Sequence, residues 1–422
     1  MPGSDGTRIL ERIPAEGTIV HHTRRRMRHR PALLVGFTLF AGLALISGCD
    51  AARPNEPLRD SREALGTIVT ITAYGDDEAP MQRFADEAFE AIAATESELS
   101  AYPDVAANPA QTGAALPSYK VASIAQFNRD PFEWHELPAS AAHALERVDR
   151  LGVSDSFSPG MLRVIQLYDF DGEGTVPDPA ELARLVRAAG AFETSAGSTV
   201  GRFRLVGEVL APPESPYSSY APPAAGLDFS GATKGAALDG ALDVFERGIA
   251  SGAIEGAIFS AGSTTIVVGS KSPHSSGGAE SEQSEPWQIG IEDPRDPDRV
   301  IGIVRYSLAG RMLPGGRDAF GLVSTSGDYQ QSFTRDGVLY HHILDPATGE
   351  PARAIRSLTV VGGESGLDSD ILSTALFVMG IDRAEAYARE HGLGLFIVDE
   401  EGRTRIVPGP EGAPFSIEES AR

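Results

Sequence analysis

Three stretches carry residue types at spacings that could do chemistry. The longest, residues 323–351 (VSTSGDYQQSFTRDGVLYHHILDPATGEP), joins Ser324, Thr325, Ser326 and Gly327 to His341, His342 and Asp345. Small hydroxyl residues beside a glycine let a polar or anionic group come close to the main chain. A histidine titrates near neutrality and can take up a proton there. Taken alone, either ring also fits a buried hairpin in which it only packs. The second stretch, residues 227–240 (LDFSGATKGAALDG), enters a helix after Asp228, with Gly231 and Gly235 keeping the first turns lean and Lys234 projecting. Unpaired N–H groups and the macrodipole favour an anion such as a pyrophosphate at such an N-terminus; a capped helix with a solvated lysine is the alternative. The third, residues 367–380 (LDSDILSTALFVMG), sets Asp370 and Thr374 four apart on one helical face, within reach of a common ion. A carboxylate and a hydroxyl, completed by a backbone carbonyl and phosphate oxygens, form a hard-oxygen set suited to Mg2+. Asp370 as a simple helix cap is the competing option.

The elements that must hold these residues are also readable. Asp336-Gly337 is a hairpin turn between QQSFTR and VLYHHIL, and residues 345–349 (DPATG) form a tight turn after it. Residues 66–74 alternate as a strand, and residues 80–99 read as a helix with Phe84, Ala88, Ile92 and Leu99 on one face. A second helix covers residues 139–151, and Leu238, Leu242 and Phe245 continue the one that starts after Asp228. Residues 257–269 read as strand, tight turn at Gly262-Ser263, strand; residues 287–294 add another strand. Asp382 to Glu385 has the pattern of a capping box opening a helix that Gly392 closes, and residues 395–399 and 404–407 form a last hairpin through Glu401-Gly402. Residues 106–118, 169–225 (around one helix, 178–189) and 270–286 are rich in Ala, Pro, Gly, Ser or Glu and read as surface excursions.

In this order and spacing the stretches resemble the ApbE family of FAD:protein FMN transferases. The family's D-x-x-x-x-x-K-G element is matched from Asp228 to Lys234-Gly235, and its T-S-G-x-Y by Thr325-Ser326-Gly327-Asp328-Tyr329. Its H-I-I-D-P-x-T-G-x-P is matched from His342 to Pro351, and its A-D-A-x-x-T-A from Ser369 to Ala375. Weaker similarity runs from Leu65 to Val407. The resemblance implies an α+β fold: a single large ApbE-like, T-fold-like domain over residues 65–410, with a mainly antiparallel sheet and flanking helices. It implies Mg2+-dependent cleavage of the FAD pyrophosphate by a Thr or Ser hydroxyl of an acceptor protein, with FMN ester-linked to that hydroxyl and AMP released. It implies His342 as the base, with His341 the fallback. Tyr102, Asp228, Lys234 and Leu344 match positions that contact the flavin nucleotide, and Ser156, Phe157 and Ser158 match those near adenosine, with Ser158 where the family has Asp. The Mg2+ ligands implied are the Gly231 carbonyl, Asp370 and Thr374, with Ser373 standing where a second acidic residue is common. The implied acceptors are flavin subunits of membrane electron-transport complexes of the Rnf and Nqr type. Two rivals fit the same residues, an Mg2+-dependent FAD pyrophosphatase giving FMN and AMP and a non-catalytic FAD-binding lipoprotein, the latter suggested by Ser158, Ser263 and Ser373.

Composition bounds these readings. The chain has 422 residues, 41% hydrophobic, enough to bury a substantial core. Residues 1–48 hold seven Lys or Arg against three Asp or Glu, so the rest carries 29 against 56 and a net charge of −27. That argues against nucleic acid as a partner, because a phosphate backbone is bound through neutralising Lys and Arg. Residues 1–48 read as a lipoprotein signal: Arg24, Arg25, Arg26, Arg28 and Arg30 flank an apolar run over 31–46, and Ser47-Gly48-Cys49 follows. Met27 is a plausible true start. Cys49 is the sole cysteine, and its place at the end of that run makes lipidation the economical explanation, against a free thiol. Residues 49–64 then read as a tether and 411–422 as a C-terminal tail. The expected location is a bacterial cell membrane, lipid-anchored on the periplasmic or extracytoplasmic face.

Overall fold

The computed structural model describes residues 56–101, 123–129, 135–189, 192–194, 202–205, 226–271, 285–308, 311–312 and 319–420. The chain runs through β1 (Leu58–Ala64), β2 (Thr67–Tyr74), α1 (Glu78–Leu99), α2 (Ile124–Arg129), β3 (His135–Glu136), α3 (Ala139–Leu151), α4 (Leu162–Tyr168), α5 (Pro179–Ala189), β4 (Phe192–Thr194), β5 (Arg202–Leu205) and α6 (Ser230–Ala250). It continues through β6 (Gly256–Ala261), β7 (Thr264–Gly269), β8 (Trp287–Asp293), β9 (Asp296–Tyr306), β10 (Phe320–Gly327), β11 (Ser332–Arg335), β12 (Val338–His341) and β13 (Ile355–Val361). Last come α7 (Gly366–Met379), α8 (Ile381–His391), β14 (Gly394–Asp399), β15 (Thr404–Val407) and β16 (Phe415–Glu419).

Eight strands form one antiparallel sheet in the order β1-β2-β6-β7-β10-β13-β14-β15. Successive side chains on a strand point to opposite faces. On β6 and β7 this sends Ala257, Phe259, Ile266 and Val268 to one side, where they meet Leu238, Leu242 and Phe245 of α6 and Phe84, Ala88 and Ile92 of α1. On β13 and β14, Leu358, Val360, Leu395 and Ile397 meet Ile371, Leu372 and Leu376 of α7. The other face, with Ile258, Val267, Val323, Phe396 and Val398, is covered by a three-stranded sheet in the order β16-β9-β8 through Trp287, Ile289, Ile291, Val304 and Tyr306. The molecule is therefore helices, sheet, sheet, a mixed helical and antiparallel architecture. Because both faces of these strands are buried, β6 and β14 are buried at every position, and their sequences read as apolar runs interrupted only by Ser260 and Asp399.

Three expectations need correction. The tether expected over 49–64 does not reach residue 64, since Leu58–Ala64 is already β1, paired along its length with β2; residues 49–55 lie outside the described residues. Alternating half-buried and exposed residues keep that edge strand polar, which is why it reads as linker. The tail expected over 411–422 contains β16, which pairs with β9 and extends the fold to Glu419. The capping box at Asp382 does not form: Gly380, at φ 79°, turns the chain directly from α7 into α8, so the helix starts at Ile381 and has no side-chain cap. The inserted loop expected over 106–118 lies outside the described residues.

Candidate active site

Two helices and the middle of the sheet converge on one end of β10. The antiparallel order places β7, β10 and β13 side by side, so Ser324 and Ser326 stand on the face that α7 covers. Ser365 caps α7 by accepting a hydrogen bond from Asp368 N, which settles the cap and places Asp370 a turn further in. There the buried Asp370 carboxylate accepts from Thr264 Oγ1 (3.2 Å) and Ser324 Oγ (3.4 Å) at Oδ1 and from Gly235 N (3.0 Å) at Oδ2. Lys234 Nζ lies 4.0 Å from Oδ1. The Ser326 hydroxyl is hydrogen-bonded to Thr374 Oγ1 (3.2 Å) and Ser373 Oγ (2.9 Å).

The close approach of α6 to α7 depends on glycine. A Cβ on Gly235 would fall 2.0 Å from the Gly366 carbonyl oxygen, so no other residue fits there. One on Gly231 would fall 3.4 Å from Thr374 Oγ1 and 3.0 Å from a Phe157 ring carbon. The entry to α6 is held by Asn128, whose Oδ1 accepts from Leu227 N (2.7 Å) and whose Nδ2 donates to Leu227 O (2.8 Å). Asp228 follows, with Oδ1 accepting from Ser230 N at 2.7 Å. Asp228 keeps part of its surface toward the cleft, yet the surrounding protein raises its carboxyl above the usual range, opposed by the Ser230 hydrogen bonds and the Lys234 charge.

The β6–β7 turn closes the site from below. Gly262 has φ 58° while Ser263 does not adopt a positive φ, so the turn needs glycine only at its first central position and accepts serine at the second. The two histidines separate cleanly. His341 ends β12, is 2% exposed, bonds the Ala352 carbonyl through Nε2 at 2.9 Å and meets the Phe377 ring edge-on. Burial lowers its pKa, with the Ala352 hydrogen bond opposing. His342, one residue on, is half-buried and turned to the cleft.

The result is a cleft of about 1130 Å3 lined by Ser156, Phe157, Ser158, Asp228, Gly231, Lys234, His342, Leu344, Asp370 and Thr374. All of these were named from sequence. Ser373, also named there as a ligand, sits behind them: its hydroxyl donates to the Asp370 carbonyl (3.0 Å), and it does not line the cleft. Tyr102 and Cys49 lie outside the described residues. Lining residues that motif reading assigned no role include Tyr329, Thr265, Phe170 and the β8 segment from Ile289 to Glu292. Tyr329 stands in a quoted motif, whereas β8 reaches the cleft only through the stacking of the two sheets, which leaves no local signal. Burial pushes the Tyr329 hydroxyl up to about 12, so it stays protonated at neutral pH.

Among the described residues no three His, Cys, Asp or Glu side chains cluster as a metal site. A cation here would rest on the Asp370 carboxylate, the Thr374 hydroxyl and the Gly231 carbonyl. That oxygen-only set with a single carboxylate fits Mg2+, which usually relies on one or two carboxylates and takes further ligands from phosphate and water.

A family model described as the ApbE family matches residues 65–397, most of the chain. The chain belongs to the ApbE family. The match runs from the β1–β2 turn into β14 and takes in the whole cleft described above. A Rhodobacter capsulatus relative named FAD:protein FMN transferase is 26% identical over 411 residues, covering 92% of this chain and 66% of its own. One from Treponema pallidum with the same name is 33% identical over 128 residues, covering 29% of this chain and 31% of its own. The aligned parts thus span just under two thirds of the first relative and about a third of the second. The crystal structure of the ApbE protein from Thermotoga maritima superposes with a TM-score of 0.61 at 25% identity, covering 83% of this chain and 96% of that one. The flavin transferase ApbE of Vibrio cholerae shares the fold, with a TM-score of 0.56 at 20% identity over 84% of this chain and 97% of that one.

Proposed function

We propose that the cleft binds FAD and transfers its FMN moiety to a Thr or Ser hydroxyl of an acceptor protein, releasing AMP. The observation that carries this reading is the convergence of His342, Lys234, Asp370 and Thr374, from three separate stretches of chain, on one cleft of about 1130 Å3. The name printed for the two relatives, FAD:protein FMN transferase, supports it.

In this reading the pyrophosphate lies at the N-terminal end of α6, where helix N–H groups favour an anion and Lys234 supplies a counter-charge. The acceptor hydroxyl gives its proton to the His342 imidazole as its oxygen bonds to the FMN phosphorus. The bond from that phosphorus to the bridging oxygen breaks, and AMP departs with the electron pair. Asp370, Thr374 and the Gly231 carbonyl would hold Mg2+, whose charge offsets that on the phosphate oxygens, the dominant need in phosphoryl transfer. Ser373 serves as a buried strut, because its hydroxyl bonds the Asp370 carbonyl and the Ser326 hydroxyl.

We further propose a lipid anchor at Cys49, on the extracytoplasmic face of a bacterial membrane. The protein's acceptors there are flavin subunits of Rnf- and Nqr-type electron-transport complexes. The basic flank, apolar run and terminal cysteine of residues 24–49 support the anchor.

The test is AMP release from FAD and Mg2+ with and without an acceptor flavoprotein subunit. The transferase reading predicts AMP in amounts equal to the acceptor hydroxyl consumed. AMP with free FMN, independent of acceptor, would replace it by hydrolysis; bound but intact FAD would replace it by a carrier.

A further inference from the structure

Asp239 follows Lys234 on α6, at the end of a motif stretch in which it had no role. Its Oδ1 accepts from Gly366 N at 2.6 Å and its Oδ2 from Leu367 N at 2.9 Å. An α-helix leaves its first N–H groups without intrahelical partners. On α7 those of Gly366 and Leu367 are answered by Asp239, and that of Asp368 by Ser365 Oγ at 3.1 Å. Gly366 and Leu367 are buried, so no solvent replaces the carboxylate.

The contact is reciprocal. Asp239 of α6 takes two N–H groups of α7, while Asp370 of α7 takes the Gly235 N–H of α6. Between these bonds the backbones touch: a Cβ on Gly366 would fall 2.7 Å from the Gly235 oxygen and 2.9 Å from Asp239 Oδ1. Neither helix can slide along the other without breaking at least one of them. Burial lifts the Asp239 carboxyl to about 7, against the pull of the two N–H donors, and the nearby Asp368 and Asp243 charges add to the rise.

We propose that Asp239 is a positioning residue that docks the N-terminus of α7 on α6, so that Asp370 and Thr374 are presented to Gly231 and Lys234 at the spacing a phosphate-bound Mg2+ requires. This rests on the reading of the cleft as an Mg2+ and FAD site. Asp239 itself touches neither ligand. It acts as partners of metal ligands commonly do, by fixing their orientation.

The experiment titrates Mg2+ into the full chain with FAD, following flavin fluorescence polarisation, with thermal melting run in parallel. The wild type should bind FAD with an Mg2+ midpoint that Asp370→Ala abolishes. Asp239→Ala should raise that midpoint about 10- to 100-fold, and Asp239→Asn, close in shape and the variant to read should the alanine fail to fold, should move it in the same direction. Val304→Ala, on the far side of the main sheet, should lower the melting temperature and leave the midpoint in place. Wild-type midpoints in both Asp239 variants would overturn the positioning role, and so would an equal shift in Val304→Ala. FAD binding indifferent to Mg2+ in wild type and Asp370→Ala alike would instead overturn the reading beneath it.

Discussion

Asp370 is the residue on which most of the site's bonds meet. It accepts from one backbone N–H and two hydroxyls, with Lys234 within 4.0 Å. Asp370→Ala should lower turnover at least about 100-fold, since a cation polarising phosphate oxygens contributes several kcal/mol to the transition state. Steady-state AMP formation checks this, and full Mg2+-dependent turnover in the variant would remove the assignment. The histidine pair shows what sequence could not decide. Neighbouring strand residues face opposite ways, so one of the two had to turn inward. Which one depends on the β11–β12 register, Ser332 opposite His341, and on how that hairpin docks. His341, the fallback base on sequence, is the packed ring, and its consequence is a pH dependence. Burial depresses its pKa from the ordinary 6.5, so between the two values the unfolded chain binds more protons than the folded one. The stability tied to this ring is complete above the unfolded value and is lost as pH falls through that window. His341→Phe should make the decline in melting temperature from pH 7 to pH 5 shallower; an unchanged decline would mean the ring does not sit neutral in the core.

At the scale of elements, α7 is held from three sides: by the sheet, by α6, and by Arg147 of α3. Arg147 donates from Nε and Nη2 to the two Asp368 oxygens at 2.7 and 2.6 Å, in a pair whose side chains are 9% and 1% exposed. Its third contact, to Glu364, reaches a carboxylate that is 81% exposed and adds little. Arg147→Met leaves the Asp368 charge buried without its partner and should cost about 3–5 kcal/mol, measured by urea unfolding. Replacing both, as Arg147→Met with Asp368→Leu, should recover most of that loss, and no recovery would show that the pair is not the source. Elements with a strong local signature were legible: the Asp336-Gly337 hairpin has φ of 51° and 78°, and Gly392 closes α8 at φ 68°. The misses were elements whose assignment depends on distant chain. β1 and β16 are short polar edges that become strands only by pairing with β2 and β9. Asp382 looked like a cap because Gly380 gave no sign that it would turn one helix straight into the next.

At the scale of the molecule, the three chemical stretches were legible because each carries its own residue types at a fixed spacing. Their meeting was not. It follows from the order β7-β10-β13 in the middle of the sheet and from α6 and α7 lying together on it, a long-range arrangement with no local signature. The far wall of the cleft, Ile289 to Glu292, comes from the second sheet and had no motif to announce it. The net charge of −23 over the whole chain argues against a phosphate backbone as a partner.

The most direct measurement is the intact mass of an acceptor flavoprotein subunit after incubation with FAD, Mg2+ and either the wild-type chain or His342→Ala. The account predicts an acceptor heavier by one FMN moiety on a single Thr or Ser with the wild type, and little or no gain with the variant. An acceptor of unchanged mass while AMP accumulates, or full modification by His342→Ala, would contradict it.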